Sequence, residues 1–511
     1  METNNKRIAK NTLLLYFRML LLMGVSLYTV RVVLNTLGTV DYGIYSVVGG
    51  IVTMFSFLSN TMASASQRFF SYELGRGNYE QLKKTFSMTM TIYAMIALVI
   101  LILAETVGLW FLNNKMTIPA ERMEAANWVY QFSILSFMMT MITIPFNAAI
   151  IAHERMNVYA WVSIVEVLLK LLVVYLLVAF SIDKLKLYAI LIFGVTTLVT
   201  FIYRSYCIRK FNECRFSFYW NKKLFKEILS FSGWNLFGAL AGIFNNNGIN
   251  IVLNMFFGPI VNTARAVAYQ VNSSTNQFVQ NFMTASRPQI TKLFASGEQE
   301  QMMKLVFQSS KFSYILLFIL SMPVLLETHF IFKVWLNDVP EYVVLFTRLI
   351  IIGTLIDSTS YALQTAAQAT GKIVTYQAVV GGMMILNLPL AYLLLRLGHA
   401  PQSVFYLSIA NSAVCLFLRL YMLSKMIHLS VSDFAYRVLL PLFLVTIIAY
   451  IAPLTILMNL DMGFSRFFII LCAGFISSIS TIFFIGLTKN EKQFALQTVK
   501  NFKKKYVQKN A

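Results

Sequence analysis

"FNNNGINIVLN", Phe244–Asn254, holds five asparagines in eleven residues. Its flanks, "SGWNLFGALAGI" and "MFFG", read as lipid-embedded helix. So much amide inside an apolar rod sets both the fold and the function to be sought.

The apolar setting extends along the whole chain. Of 511 residues, 58% are hydrophobic and 12% charged, about half the charged share of a soluble domain. The mean hydropathy is +0.67. The composition specifies a polytopic, all-α membrane protein. The basic start and long apolar run of "METNNKRIAKNTLLLYFRMLLLMGVSLYTV" read as a retained first helix, with no small-residue cleavage site. Apolar runs of membrane-spanning length predict fourteen helices, at 12–34, 42–66, 85–112, 125–152, 157–180, 186–206, 228–254, 260–286, 311–335, 342–370, 373–395, 402–424, 437–458 and 465–487.

The net charge of +21 tests that topology. With the N-terminus in the cytoplasm, 29 of the 42 Lys and Arg fall in inner segments, seven in outer segments and six inside helices. This is the positive-inside pattern for an even number of spans. The basic excess is thus mainly an orientation signal that also attracts anionic membrane lipids. No soluble basic domain exists to bind nucleic acid. The loops leave no room for a catalytic domain, and the four cysteines and four histidines show no metal-ligand spacing. Neither a cofactor nor an enzymatic activity is expected.

The chain also resembles itself. At an offset of 220, "GNYEQLKK" (Gly77–Lys84) meets "GEQEQMMK" (Gly297–Lys304), and Gly38 meets Gly258. At 217, Ala152 meets Ala369 and Tyr159 meets Tyr376. Two six-helix lobes follow, 1–210 and 211–430, related by a pseudo-two-fold along the membrane normal. Helices 13 and 14 with a basic cytoplasmic tail, 431–511, are an addition.

Polar residues recur at helical spacing. The seventh predicted helix carries Asn235, Asn246, Asn250 and Asn254. The eighth carries Asn262, Arg265, Tyr269, Asn272, Asn276 and Gln280, with a second stripe of Gln270, Ser274, Gln277 and Asn281. An amide facing hydrocarbon costs several kcal/mol, and an arginine at the bilayer centre about 3 kcal/mol or more. Two arrangements relieve that cost: a shared water-filled cavity, or dry hydrogen bonds between helices. With a dozen groups to satisfy, the cavity is the cheaper, and Arg265 is its natural cation. Arg18 and Arg31 lie 13 residues apart on the first helix, about 220° around it. Each reads equally as a cavity residue or as a snorkelling one. Arg419, near the inner end of helix 12, reads as snorkelling. Glu166 and Lys170 have ion-pair spacing, and Asp357 sits mid-helix among hydroxyls. These three are the candidates for ion coupling. Arg348, nine residues before Asp357, falls on the opposite face.

"VRVVLNTLGTVDYGIYSVVGGIVTMFSFLSNTMASASQRFF", Val30–Phe70, resembles the opening of bacterial polysaccharide flippases in the multidrug/oligosaccharidyl-lipid/polysaccharide exporter superfamily. Arg31, Leu37-Gly38, Asp41-Tyr42-Gly43 and Tyr45 carry the likeness. "ATGKIVTYQAVVGGMMILNLPLAYLLLRLG", Ala369–Gly398, resembles the eleventh-helix region through Gly371-Lys372 and Asn387. The resemblance implies alternating access of two lobes around a central cavity in the bacterial inner membrane, with both termini cytoplasmic. The cargo it implies is an undecaprenyl-diphosphate-linked oligosaccharide for surface polysaccharide such as O-antigen, and the implied partners are polymerase and export machinery. On this expectation Arg265 with Arg18 or Arg31 holds the diphosphate, and Asn235, Asn246, Asn250, Tyr269, Asn272, Asn276 and Gln280 line the path of the glycan. A drug/cation antiporter of the same superfamily is the alternative, with Asp357 or Glu166 as its carboxylate.

Overall fold

The structure, a computed structural model, describes residues 2–496 apart from 54, 55, 117, 181, 337, 338, 490, 494 and 495. No strand occurs among them. The first helix, α1 (Glu2–Thr53), breaks at Gly38, whose φ of 79° leaves the helical region. There follow α2 (Ser56–Gly75), α3 (Tyr79–Leu103), a π turn (Ala104–Gly108) into α4 (Leu109–Lys115), α5 (Met123–Ala152), α6 (Met156–Ala179), α7 (Lys184–Lys210), α8 (Lys222–Phe257) and α9 (Pro259–Ala295). After these come α10 (Gln299–Leu326), α11 (Thr328–Leu336), α12 (Val343–Ala369), α13 (Val374–Arg396), α14 (Ser403–Ile427), α15 (Val431–Phe434), α16 (Leu440–Asn459) and α17 (Phe464–Thr481).

Among the described residues, twelve spans are long and apolar enough to cross a membrane. Two predicted spans, 42–66 and 260–286, fall on helical stretches outside that dozen. For the second the reason is chemical. At 37 residues α9 is about 55 Å long, ample to cross a bilayer, but its amides lower its hydropathy. The predicted span 311–335 is two helices, because the chain interrupts at Glu327 between α10 and α11.

The backbone repeats its punctuation at the offsets seen in the sequence. Gly38 and Gly258 have φ of 79° and 74°, Gly77 and Gly297 of 67° and 79°, and Glu154 and Gly371 of 58° and 77°. Glycine adopts this left-handed conformation without a Cβ penalty. The hydrogen bonds repeat too. Asn78 N donates to Glu73 O (3.1 Å) and Gly77 N to Leu74 O (3.2 Å), as Glu298 N does to Leu293 O (3.0 Å) and Gly297 N to Phe294 O (3.2 Å). In the next turn Lys84 pairs with Glu80 at 2.6 Å and Lys304 with Glu300 at 2.5 Å.

Two compact units emerge. The first comprises Arg7–Ala239 with Thr291–Glu298, and the second contains Leu240–Ile290 and the described chain from Gln299 onward. In the first unit, Tyr130 Oη donates to Ala104 O in the π turn (2.8 Å). A Cβ on Gly108 would lie 2.0 Å from that hydroxyl, so only glycine leaves room for it. Arg122 joins the start of α5 to two acids, donating to Asp41 (2.8 Å from Nε) and to Asp183 (2.7 Å from Nη1). Burial works against the Asp183 carboxylate, but the Arg122 bonds and two helix-start amides outweigh it and hold it below the usual carboxylate range. At the other end of α5, buried Glu154 binds Arg7 (2.6 Å) and Lys292 (2.7 Å).

The second unit packs α10 against α12 and α17. Arg466 forms a two-pronged pair with buried Glu327 at 2.7 and 2.9 Å. Lys311 and Glu491, 3% and 7% exposed at their side chains, meet at 2.5 Å and tie the segment after α17 to α10. A buried pair that loses one partner leaves an uncompensated charge, at a cost of about 3–5 kcal/mol. Lys311→Met is therefore expected to lower the unfolding temperature in detergent micelles sharply, and Lys311→Met combined with Glu491→Leu to recover most of the loss.

Candidate functional site

The amide-rich stretch of α8 faces the start of α9, within the second unit. The turn at Gly258 reverses the chain and sets the two helices side by side, so residues 8–19 apart in sequence become neighbours. Asn254 Nδ2 donates to Asn262 Oδ1 (3.0 Å), and Asn262 Nδ2 donates to Asn250 at its O (2.7 Å) and its Oδ1 (2.8 Å). Arg265 Nη1 donates to Asn250 Oδ1 (3.2 Å), and its Nη2 donates to Asn246 O (2.8 Å) and Asn246 Oδ1. Its guanidinium carbon lies 4.5 Å or less from a ring: 4.4 Å above the centroid of Tyr269. Arg265 is 6% exposed.

These bonds correct the expected arrangement at this point. The facing stripes of α8 and α9 are bonded directly to each other rather than standing apart across water. The physical reason is length. Asparagine is short enough to bridge two closely packed helices, and each amide satisfies a neighbour as well as itself. Asn246 keeps an exposed edge, whereas Arg265 is enclosed. The second stripe is exposed at Gln270, Ser274 and Gln277 and buried at Asn281.

The remaining expected residues scatter. Asn235 is buried in the first unit. Asn272 is buried and its Oδ1 has no partner among the described residues. Asn276 accepts from Tyr361 Oη (3.2 Å) and Gln280 from Arg287 Nη2 (3.2 Å). Arg18 lies in the first unit with its guanidinium 4.5 Å over the Tyr159 ring, and Tyr203 lies within its electrostatic reach. Glu166 is bonded to Lys170 at 2.6 Å, the ion pair its spacing predicts. The Arg31 side chain is outside the described residues.

Asp357 lines a polar cavity of about 180 Å³ in the second unit, with Asn245, Asn387, Ser408, Asn411, Ser412 and Arg419 also in its wall. Arg419 thus corrects another expectation. Instead of reaching for the membrane surface it turns inward, electrostatically coupled to Asp357 and beside Tyr376. Asn387, 1% exposed, bridges Asn245 Oδ1 (2.8 Å) and Ser408 Oγ (3.2 Å). Sequence periodicity passed over this group because its members come from four helices. Asp357 and Arg419 stand out singly in the sequence and Asn387 through the eleventh-helix likeness, but no spacing joins them to Asn245, Ser408 and Asn411.

The family of polysaccharide biosynthesis proteins matches residues 8–294, more than half of the chain. The chain belongs to that family. A relative from Bacillus subtilis (strain 168), the uncharacterized membrane protein EpsK, is 22% identical over 58% of this chain and 59% of its own length. The fold is that of MATE transporters. A MATE structure in the bent conformation superposes with a TM-score of 0.73 at 10% identity, covering 83% of this chain and 96% of the other. An outward-facing MATE transporter of the MOP superfamily gives 0.67 at 13%, over 83% and 96%. The MATE transporter ClbM in complex with Rb⁺ gives 0.67 at 14%, over 84% and 96%. With twelve spans long and apolar enough to cross a membrane among the described residues, it is a multi-pass membrane protein of that family with the MATE fold.

In this family member the residues that carry the opening resemblance have structural tasks. Gly38 breaks α1, Asp41 holds Arg122, and Tyr45 packs edge-on to Tyr188 with ring centroids 4.7 Å apart. The clasp is open to direct test. Asn250→Ala removes an acceptor shared by Arg265 and Asn262, and a buried donor left unsatisfied costs about 1–3 kcal/mol. Thermal unfolding in micelles should show that loss, and Asn250→Asp, which keeps the acceptor and adds a counter-charge to Arg265, should show less.

Proposed function

We propose that this chain flips a polyprenyl-diphosphate-linked oligosaccharide from the cytoplasmic to the outer leaflet by alternating access, for surface polysaccharide assembly. The family match supports the glycan, and the superfamily fold supports transport. The observation that carries the reading is the way Arg265 is held. Its partners, Asn246, Asn250 and Tyr269, are all neutral. Amides satisfy the donors of a guanidinium without cancelling its charge, and in a low-dielectric surrounding that charge projects further than in water. An anion that reaches the exposed edge of Asn246 meets an uncompensated positive field. Further along α9 and around the helix from Arg265, the exposed Gln270, Ser274 and Gln277 offer hydrogen bonds of the kind sugar hydroxyls take.

A diphosphate carrying about two negative charges gains at most roughly 4.6 kcal/mol per 100 mV when an inside-negative potential drives it outward. Potential alone supplies direction, with no coupling ion. The setting we infer is a bacterial cytoplasmic membrane with both termini inside, from the distribution of Lys and Arg. No catalytic step is required of the protein, and the partners we expect are the polymerase and export machinery that consume the flipped lipid.

The antiporter reading rests on one observation, Asp357 in a polar cavity. The same cavity carries Arg419, an internal cation close enough to act on the carboxylate an antiporter would use to take up its ion. That favours the flippase.

Proteoliposomes loaded with a fluorescent lipid-linked oligosaccharide decide the matter. Arg265→Ala should slow flipping about tenfold or more, since charge-assisted contacts to phosphate contribute well over 1 kcal/mol, and Arg265→Lys should retain an intermediate rate. Full flipping by Arg265→Ala would remove the assignment. Loss of cation-driven drug export in Asp357→Asn, with no flipping by the wild type, would establish the antiporter instead.

A further inference from the structure

Arg348 and Asp357 are nine residues apart on α12, which is half a turn in phase. They open onto different cavities of the second unit. Asp357 lines the polar one described above. Arg348 lines a larger one, about 510 Å³, walled by α10, α12 and α16. Its lining is apolar, with Phe318, Ile352, Leu454 and Leu457 among the wall residues, and Tyr450 beside them. That volume lies in the range of ligand pockets, ~300–1,000 Å³.

The single charged group in this wall is Arg348. Its Nε donates to Thr328 Oγ1 at 3.1 Å and its Nη2 to Leu326 O at 3.5 Å, both neutral acceptors. No carboxylate among the described residues pairs with it. The acid next to Leu326 is Glu327, and Arg466 takes both of its oxygens. A guanidinium in an apolar membrane pocket without a counter-ion calls for an anion. Arg348 is five residues inside the Val343 start of α12, about 8 Å along the axis, at the depth where a lipid phosphate meets the acyl region.

We propose that this cavity is a binding site for a resident anionic phospholipid. One acyl chain lies between α10, α12 and α16, and the phosphate sits on the Arg348 guanidinium. The charge asymmetry of the chain places this end of α12 in the outer leaflet. The site stands apart from the Arg265 clasp and does not depend on the cargo proposed above. A phosphate on Arg348 also binds α12 to the junction of α10 and α11, because Arg348 already holds Thr328 and Leu326.

The test uses the full chain, purified, stripped of lipid and incubated with phosphatidylglycerol or phosphatidylcholine, with bound lipid read by native mass spectrometry. The wild type should retain phosphatidylglycerol over phosphatidylcholine by about tenfold, as a charge-assisted phosphate contact predicts. Arg348→Gln should abolish that preference and Arg348→Lys should keep most of it. Leu454→Trp, which fills the cavity, should reduce retention of both lipids. A phosphatidylglycerol carrying a photoreactive group in its acyl chain should label the α16 peptide around Tyr450 in the wild type, which needs no variant to fold. Equal retention of the two lipids by the wild type, undiminished selectivity in Arg348→Gln, or labelling confined to other helices would overturn the site. Displacement of phosphatidylglycerol by an equal concentration of undecaprenyl phosphate would overturn the resident lipid and make the pocket part of the cargo path. Flipping activity enters none of these readouts, so the failure of either proposal leaves the other standing.

Discussion

A polar group inside hydrocarbon must find its partner within the protein, and most of this structure follows from that requirement. Arg265 meets it with asparagines, Lys311 with Glu491, and the Ala104 carbonyl of the π turn with the Tyr130 hydroxyl. These solutions are not equivalent. An acid satisfies a cation and cancels its field, whereas an amide satisfies it and leaves the field standing. The first kind stabilises a lobe. The second keeps a charge available to a ligand, which is why the neutral clasp around Arg265 has functional weight and the acid pairs do not.

The two halves of the chain repeat their turns at fixed offsets while the side chains around those turns differ. Left-handed residues recur at 38 and 258, at 77 and 297, and at 154 and 371. The side-chain chemistry is rebuilt around them. Tyr159 carries Arg18 from α1 on its ring, whereas its counterpart Tyr376 is approached by Arg419 from α14. Asp41 anchors Arg122 in the first unit, and the position 220 later is Val261, a core residue. Turns and breaks are set by local steric rules, so they survive changes in packing. Ion pairs need two helices to agree, so they are replaced singly.

Much of the fold was legible in the chain alone. Hydropathy located the rods, and Gly38 and Gly258 marked their breaks. The offsets of 220 and 217 showed which turns correspond. These signals are local, since each depends on neighbours within a few residues. The candidate site was legible only in part. Periodicity grouped Asn246, Asn250 and Asn254 on one face and Asn262 and Arg265 on another, but it could not say whether those faces meet water or each other. It took Arg419 for a surface-seeking residue because depth along a helix says nothing of direction around a bundle. It missed the group of Asn245, Asn387, Ser408 and Asn411, whose members lie up to 166 positions apart.

The sequence by itself determined an all-helical, duplicated membrane protein whose apolar rods are interrupted at set glycines, because transfer to hydrocarbon and backbone sterics act residue by residue. The tertiary structure alone decided which polar face found which partner. That choice depends on the rotation and axial offset of helices distant in the chain, and a shift of one residue turns a helix by about 100°, enough to exchange a buried clasp for an exposed stripe.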